Sequence, residues 1–390
     1  MEPVEPGSPR GRLALLENIS EGKPLTPAAS LSLDQCLGCR ACEAACPAGV
    51  KPAREIHAAK PPFKNRTLSG YLFVYLWRYA CRTIVPKPSH LVALIRLLDF
   101  LRQIRLTAVL TRLPPLATLG AKFEELAALL PPVPSPGGRR PHILPAVGPE
   151  RRRVAFFAGC IMETVIRPAN DAAITLLRHA GCTVIVPPAQ TCCGALSHHS
   201  GDRESARKLA LRNIEAFRCE EPYDCVVSTA AACTVHLREY PELFPDYPAR
   251  EKAAAFSARV RDFAELVSEL KPVLTSSFSG RIAYHESCLL RHSDNRRHMK
   301  NVLALLPDVE ALPAPHPGCC GSAGGYVLRH PDVANALLDA KITAIRNTGA
   351  KAVVTDNPGC LLFLRYGLKQ QGLIEDIAAY HLAEFLLPGK

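Results

Sequence analysis

The chain has 390 residues, is 48% hydrophobic and carries sixteen cysteines and a formal net charge of +11. That length supports two or three domains, each with its own core, and the lack of any run of about 18 uncharged apolar residues excludes a helical membrane span. Met1 to Pro27 lacks an apolar leader, so the expected setting is cytoplasmic and reducing, where clustered thiols read as metal ligands and not as disulfides.

A Pro-rich leader and a short helical piece, Arg12 to Ile19, open the chain. Then comes Asp34-Gln-Cys36-Leu-Gly-Cys39-Arg-Ala-Cys42-Glu-Ala-Ala-Cys46-Pro47. C-x2-C-x2-C-x3-C-P is the bacterial-ferredoxin pattern for a [4Fe–4S] cluster. Tight turns carry thiolates to separate irons, and the N–H groups of those turns offset the charge on the sulfides. The proline after the fourth cysteine turns the chain away.

Residues 61–130 read as helices. Leu91 to Ile104 places apolar residues at helical spacing with arginines opposite. Between Lys60 and Arg112 stand ten Lys or Arg and a single acid, Asp99. Two readings stay open: a packing layer with a solvated basic face, or a docking surface for a partner or a membrane. The segment lacks an interleaved aromatic nucleic-acid motif, so no nucleic-acid partner is expected. Pro131 to Glu150, with seven prolines and three glycines, reads as a linker.

Beyond it the sequence repeats. Cys160, Cys192, Cys193 and Cys233 have 31 and 39 residues between them; Cys288, Cys319, Cys320 and Cys360 have 30 and 39. Arg153-Val-Ala-Phe-Phe-Ala-Gly-Cys160 echoes Arg281-Ile-Ala-Tyr-His-Glu-Ser-Cys288, and each central pair is Cys-Cys-Gly. A repeat that keeps four cysteines in register reads as a repeated metal site. Each half alternates short apolar strands with helices, which argues an α/β unit with a largely parallel sheet. Strands are expected at 154–158, 183–186 and 225–228, and again at 282–285, 309–312 and 352–355. Every repeat cysteine then follows a strand, so four thiolates per half could meet at one end of a sheet.

The expected fold class is therefore α/β: a short α-helical ferredoxin-like region (1–60), a helical segment (61–130), a linker (131–150) and two repeated α/β cysteine-rich domains (151–275 and 276–390). Cys182 and Cys225 border apolar strands and read as core; Cys81 and Cys219 fit no pattern. His198, His199, His285, His292, His316 and His381 lie near the motifs, where a histidine more often packs or donates a hydrogen bond than ligates iron. No Ser–His–Asp set or paired catalytic carboxylate stands out.

These motifs resemble the Cys-Cys-Gly repeats of heterodisulfide-reductase-related iron–sulfur proteins, and more closely the iron–sulfur subunits of bacterial glycolate oxidases. Ser8-Pro-Arg-Gly-Arg12, Cys36 to Pro47, Gly159-Cys160-Ile-Met162, Gln190 to Leu196, Cys319 to Gly324 and His381-Leu-Ala-Glu384 carry the likeness. It implies an electron-transfer subunit with [4Fe–4S] clusters on the twelve motif cysteines. Substrate oxidation would lie on a flavin-binding partner subunit, with electrons leaving to a quinone or other acceptor, peripherally at the inner face of the cell membrane. Lactate and glycerol 3-phosphate systems, or a heterodisulfide-type reductase, are alternatives to glycolate.

Two departures matter. Glycolate-type relatives carry a second C-x2-C-x2-C-x3-C-P motif upstream of Ser8. The expectation is that an upstream segment is missing; otherwise Cys46 serves the lone cluster, a three-iron cluster forms, or nothing stable binds. The heterodisulfide-reductase pattern also ends each repeat in C-x-x-C, whereas this chain has Ala230 and Asn357 at the first of those positions. That leaves four thiolates per half. A reading of a different class, a zinc-stabilised interaction scaffold without redox activity, also fits four cysteines.

Overall fold

The computed structural model describes residues 5–59, 68–104, 117–130, 140–218, 221–293, 298–315 and 318–387. Its strands form two sheets. The first contains β1 (Ile143–Leu144), β2 (Arg152–Phe157), β3 (Cys182–Ile185), β4 (Cys225–Ser228) and β5 (Val260–Asp262), in the order β1-β3-β2-β4-β5. The second contains β6 (Gly280–His285), β7 (Val309–Pro313), β8 (Ala352–Thr355) and β9 (Ala378–His381), in the order β7-β6-β8-β9. All pairings are parallel except that of β1 with β3. Val154-Ala-Phe-Phe157 and Ile282-Ala-Tyr-His285 are buried throughout, as central strands covered on both faces require.

The six expected strands are present with ends shifted by a residue or two. The fourth strand of each half escaped notice, because Val260-Arg-Asp and Ala378-Ala-Tyr-His lack an apolar run; pairing with β4 and β8 makes them strands. Ile143–Leu144, inside the segment expected as linker, adds an antiparallel edge to β3. Residues 131–139 of that segment lie outside the described residues, as do Cys219 and His316.

The two sheets pack by exchange. The first long helix of repeat one, Arg167–His179, lies on the last helix of repeat two, Leu382–Phe385. Reciprocally, the last helix of repeat one, Phe263–Leu270, lies on His298–Leu303 of repeat two. One apolar cluster runs through both halves, with Leu177, Leu266 and Val267 from the first meeting Val302, Leu303 and Leu382 from the second. Each such side chain contributes about 1.5–3 kcal/mol on leaving water, so the seam belongs to the stability of both halves.

The N-terminal helices Pro9–Ser20, Pro27–Asp34, Ala41–Ala44 and Pro52–Ala59 lie across this pair. Ser8 and Thr26 cap the first two, accepting from the N–H groups of Gly11 and Ala29. Asp34 reaches repeat two through Arg329 and through His330 at 2.8 Å. The helices Leu68–Tyr79, Pro88–Gln103 and Ala117–Leu129 follow, with a five-residue π-helical stretch at Ala80–Ile84.

Candidate metal centre

Loops leaving the carboxyl ends of strands deliver the repeat cysteines, where parallel sheets place their ligand sites. Cys160 follows β2, Cys192-Cys193 ends the loop after β3, and Cys233 sits on the helix Ala231–Arg238 after β4. Cys288, Cys319-Cys320 and Cys360 occupy the same places after β6, β7 and β8. In the first set Cys160 Sγ lies 3.5 Å from Cys192 Sγ, and Cys193 Sγ lies 3.3 Å from Cys233 Sγ. In the second, Cys320 Sγ lies 3.2 Å from Cys360 Sγ, and Cys288 is hydrogen-bonded to Cys319. These separations exceed an S–S bond of about 2.05 Å, and every described cysteine is free.

The glycine of each Cys-Cys-Gly is fixed by geometry. Gly194 and Gly321 have φ of +94° and +95°, the left-handed region that glycine enters without strain. A Cβ on Gly321 would stand 2.5 Å from the Ala334 carbonyl oxygen; one on Gly194 would stand 3.3 Å from that of Ala206. Both glycines donate their N–H to a sulfur, Gly194 to Cys192 and Gly321 to Cys319, each at 3.4 Å. The turn therefore closes the helix onto the cysteine pair and aims a donor at it.

Hydrogen bonding between neighbouring sulfurs splits their acidities. Cys192 is drawn below the usual thiol range by Cys160 and Cys193, while those two are pushed up. Cys288 and Cys320 are drawn down by Cys319, and Cys319 and Cys360 pushed up. A buried all-sulfur set of four suits iron–sulfur clusters or zinc.

Both sets line one mainly apolar cavity of about 250 Å³. Cys36 also lines it, and Trp77 closes one side, donating Nε1–H to Ser200 Oγ at 3.0 Å. Cys39 and Cys42 are half-buried; burial raises both thiols, and the charge of Cys36 adds to each. Cys288 also acts on Cys39, because the helix Ala41–Ala44 packs on Cys288–Ser293. Cys46 follows the end of that short helix, half-buried. Among the described residues three metal-ligating side chains converge within 4.8 Å at one place, His285, Cys320 and Cys360.

Several residues near the cysteines carried no sequence signal. Lys341, wholly enclosed, lies within the field of Cys320, Cys319 and Cys360. Cys81, on the π-helical stretch, is buried; burial and then Cys192 push its thiol up. His57 and His236 join His198 and His199 in a cluster with ring centroids 5.2–6.5 Å apart. Burial lowers His198 to about 4. His292 ends the helix Cys288–Ser293 beside Arg291. Cys182 and Cys225 are core residues, as expected, with burial raising both thiols to about 11.

Comparison with known proteins finds one domain family twice. The family described as CCG, cysteine-rich domain, matches residues 154–238 and 282–365. The chain is 34% identical over 397 residues to the probable glycolate oxidase iron–sulfur subunit of Bacillus subtilis (strain 168), covering 98% of this chain and 88% of that protein. It is 31% identical over 367 residues to the glycolate oxidase iron–sulfur subunit of Escherichia coli (strain K12), covering 90% and 82%. Lactate utilization protein A of Exiguobacterium sp. is 30% identical over 250 residues, which is 60% of this chain and 97% of that protein.

Proposed function

Since the chain belongs to the family of glycolate oxidase iron–sulfur subunits, we propose that it carries electrons from a flavin-binding partner subunit oxidising a small hydroxy acid to a quinone-type acceptor. One observation carries this reading most directly: two four-cysteine sets and Cys36 line a single cavity. In this reading all twelve motif cysteines, Cys36 to Cys46 and the two repeat sets, hold [4Fe–4S] clusters, and glycolate is the partner's substrate.

Bound clusters supply one-electron transfer at potentials tuned by hydrogen bonds, charge and burial. The protein's own groups set those terms. Gly194 and Gly321 donate N–H groups to sulfur. Asn357 Nδ2 donates to Cys360 Sγ at 3.5 Å. Trp77, Leu126, Leu129 and Leu196 keep the cavity apolar, which suits exclusion of water and entry of a lipophilic acceptor. No helix among the described residues is long and apolar enough to cross a membrane. Peripheral docking is supported by Leu72, Tyr75, Leu76 and Tyr79, an exposed stripe on one helix, and by Leu97 and Phe100 on the next with Ile104 just past its end, in the basic part of the chain.

The test is iron, zinc and acid-labile sulfide content of anaerobically purified protein, with EPR before and after dithionite. About eight or more irons per chain with matching sulfide, and a signal that appears on reduction, is the expected result. Zinc without sulfide overturns the reading in favour of a structural scaffold. Flotation with anionic liposomes, diminished by Tyr75→Ser with Phe100→Ser, checks the docking surface.

A further inference from the structure

The two repeats are not chemically equal. Ladder register makes Phe157 and His285 equivalent: Phe157 on β2 lies opposite Ser228 on β4, and His285 on β6 lies opposite Thr355 on β8. Each stands three residues before the first cysteine of its set. Phe157 is an apolar core residue stacked on Phe217, with ring centroids 6.0 Å apart. His285, only 3% exposed, puts an imidazole in the same place.

That imidazole is aimed at the cysteines. One of its ring nitrogens, Cys320 Sγ and Cys360 Sγ all lie within 4.8 Å of one another. The ring is buried and hydrogen-bonded to the Cys320 sulfur, so a polar group that burial would otherwise penalise is committed to the cysteine set. The helix Pro331–Asn347 adds a second difference: aligned on Ala206 and Ala334, which face the two Cys-Cys-Gly turns, enclosed Lys341 takes the position of Asn213 in the first repeat.

We propose that His285 is a protein ligand of the metal centre in the second repeat, giving it a mixed nitrogen–sulfur donor set with Cys288, Cys319, Cys320 and Cys360, while the first repeat offers thiolates alone. The proposal rests on the reading of the repeats as iron–sulfur sites. Imidazole is an established ligand for iron in clusters, and where it takes the place of a thiolate it raises the potential. Lys341 acts in the same direction by favouring the more negative, reduced state.

The test is pulsed EPR on the full chain, reduced and oxidised, grown with natural or ¹⁵N-labelled histidine. The expected result is a strong nitrogen coupling on one centre. It changes isotope with histidine labelling alone and disappears in His285→Phe, the residue the first repeat already accommodates at this position. His285→Gln serves if that variant does not fold, and the labelled wild-type protein decides by itself whether any histidine is coordinated. Full iron and sulfide with no histidine coupling, or only the weak coupling of a hydrogen-bonded nitrogen, overturns this proposal and leaves the electron-transfer reading standing. Absence of iron and sulfide overturns both.

Discussion

Arg40, in a left-handed backbone conformation between Cys39 and Cys42, donates from both terminal guanidinium nitrogens to the Glu239 carboxylate, at 2.5 and 2.6 Å. Glu239 caps the helix that carries Cys233, and Arg54 joins it at 2.8 Å. This fork ties the N-terminal cysteine motif to the first repeat. Burial works against the Arg40 charge, and the hydrogen bonds and charge of Glu239 together with the charges of Glu43 and Cys288 outweigh it, so its pKa is raised. Removing one partner of a mostly buried pair costs about 3–5 kcal/mol. Arg40→Met is expected to release residues 36–59 while both sheets persist. Hydrogen exchange and limited proteolysis, read segment by segment, check this; unchanged protection across 36–59 contradicts it.

Gly321→Ala brings two costs together. A left-handed residue with a side chain loses about 1–2 kcal/mol, and the new methyl meets the Ala334 carbonyl at 2.5 Å, where only backbone could yield. The expected result is loss of metal from the second repeat and a melting temperature lower by many degrees. Gly194→Ala, whose nearest neighbours stand at 3.3 Å, should be milder. Metal analysis and thermal melts of the two variants give the comparison directly.

Lys341 tests the electrostatics. Burial lowers its pKa and Arg291 adds to that, while the neighbouring thiolates, Cys320 first, act the other way. Reduction adds negative charge, so an ammonium here stabilises the reduced state. Lys341→Met keeps the length of the side chain and removes the charge. The midpoint potential of the second centre should fall, on the order of tens of millivolts, with the first centre unmoved. A redox titration followed by EPR checks this, and a rise in potential would show the sign to be wrong.

His381 joins the repeats: its Nε2 donates to the Thr229 carbonyl at 3.0 Å while Nδ1 accepts from the Ala383 N–H. Burial pulls its pKa down to about 4. A folded pKa below the unfolded value of about 6.5 means that the unfolded chain binds the proton first. The contribution is therefore complete above about pH 6.5 and is lost as pH falls towards 4, by about 1.4 kcal/mol per unit. Asp262, raised to about 6 by burial, works in the opposite direction over part of that window, so the informative quantity is a difference. The stability advantage of wild type over His381→Asn should shrink as urea melts are repeated from pH 6.5 to 4.

Much of this was legible beforehand where the information is local. β2, β3, β4, β6 and β8 show as apolar runs because both of their faces are largely covered. Cys182 and Cys225 show as core for the same reason. β7 is a half-exposed edge strand that shows by its place in the repeat. β5 and β9 did not show, since a three- or four-residue strand with Arg261 or His381 in it acquires its state from the neighbour it pairs with. His285 was visible as one of several histidines near motifs, but nothing in its neighbours distinguished it from His292, which ends half-buried on a helix.

The sequence by itself determined the repeat, the placing of four cysteines per half at the ends of strands, and the ferredoxin motif. Those follow from spacing, and spacing within a βα unit sets register. Only the tertiary structure decided that both cysteine sets and Cys36 face one cavity, that Arg40 finds Glu239, and that His285 and Lys341 turn towards the second set. These contacts join side chains that are distant in the chain or lie on different elements. Their meeting depends on how the two sheets exchange helices across the shared core, which residue order and composition do not encode locally.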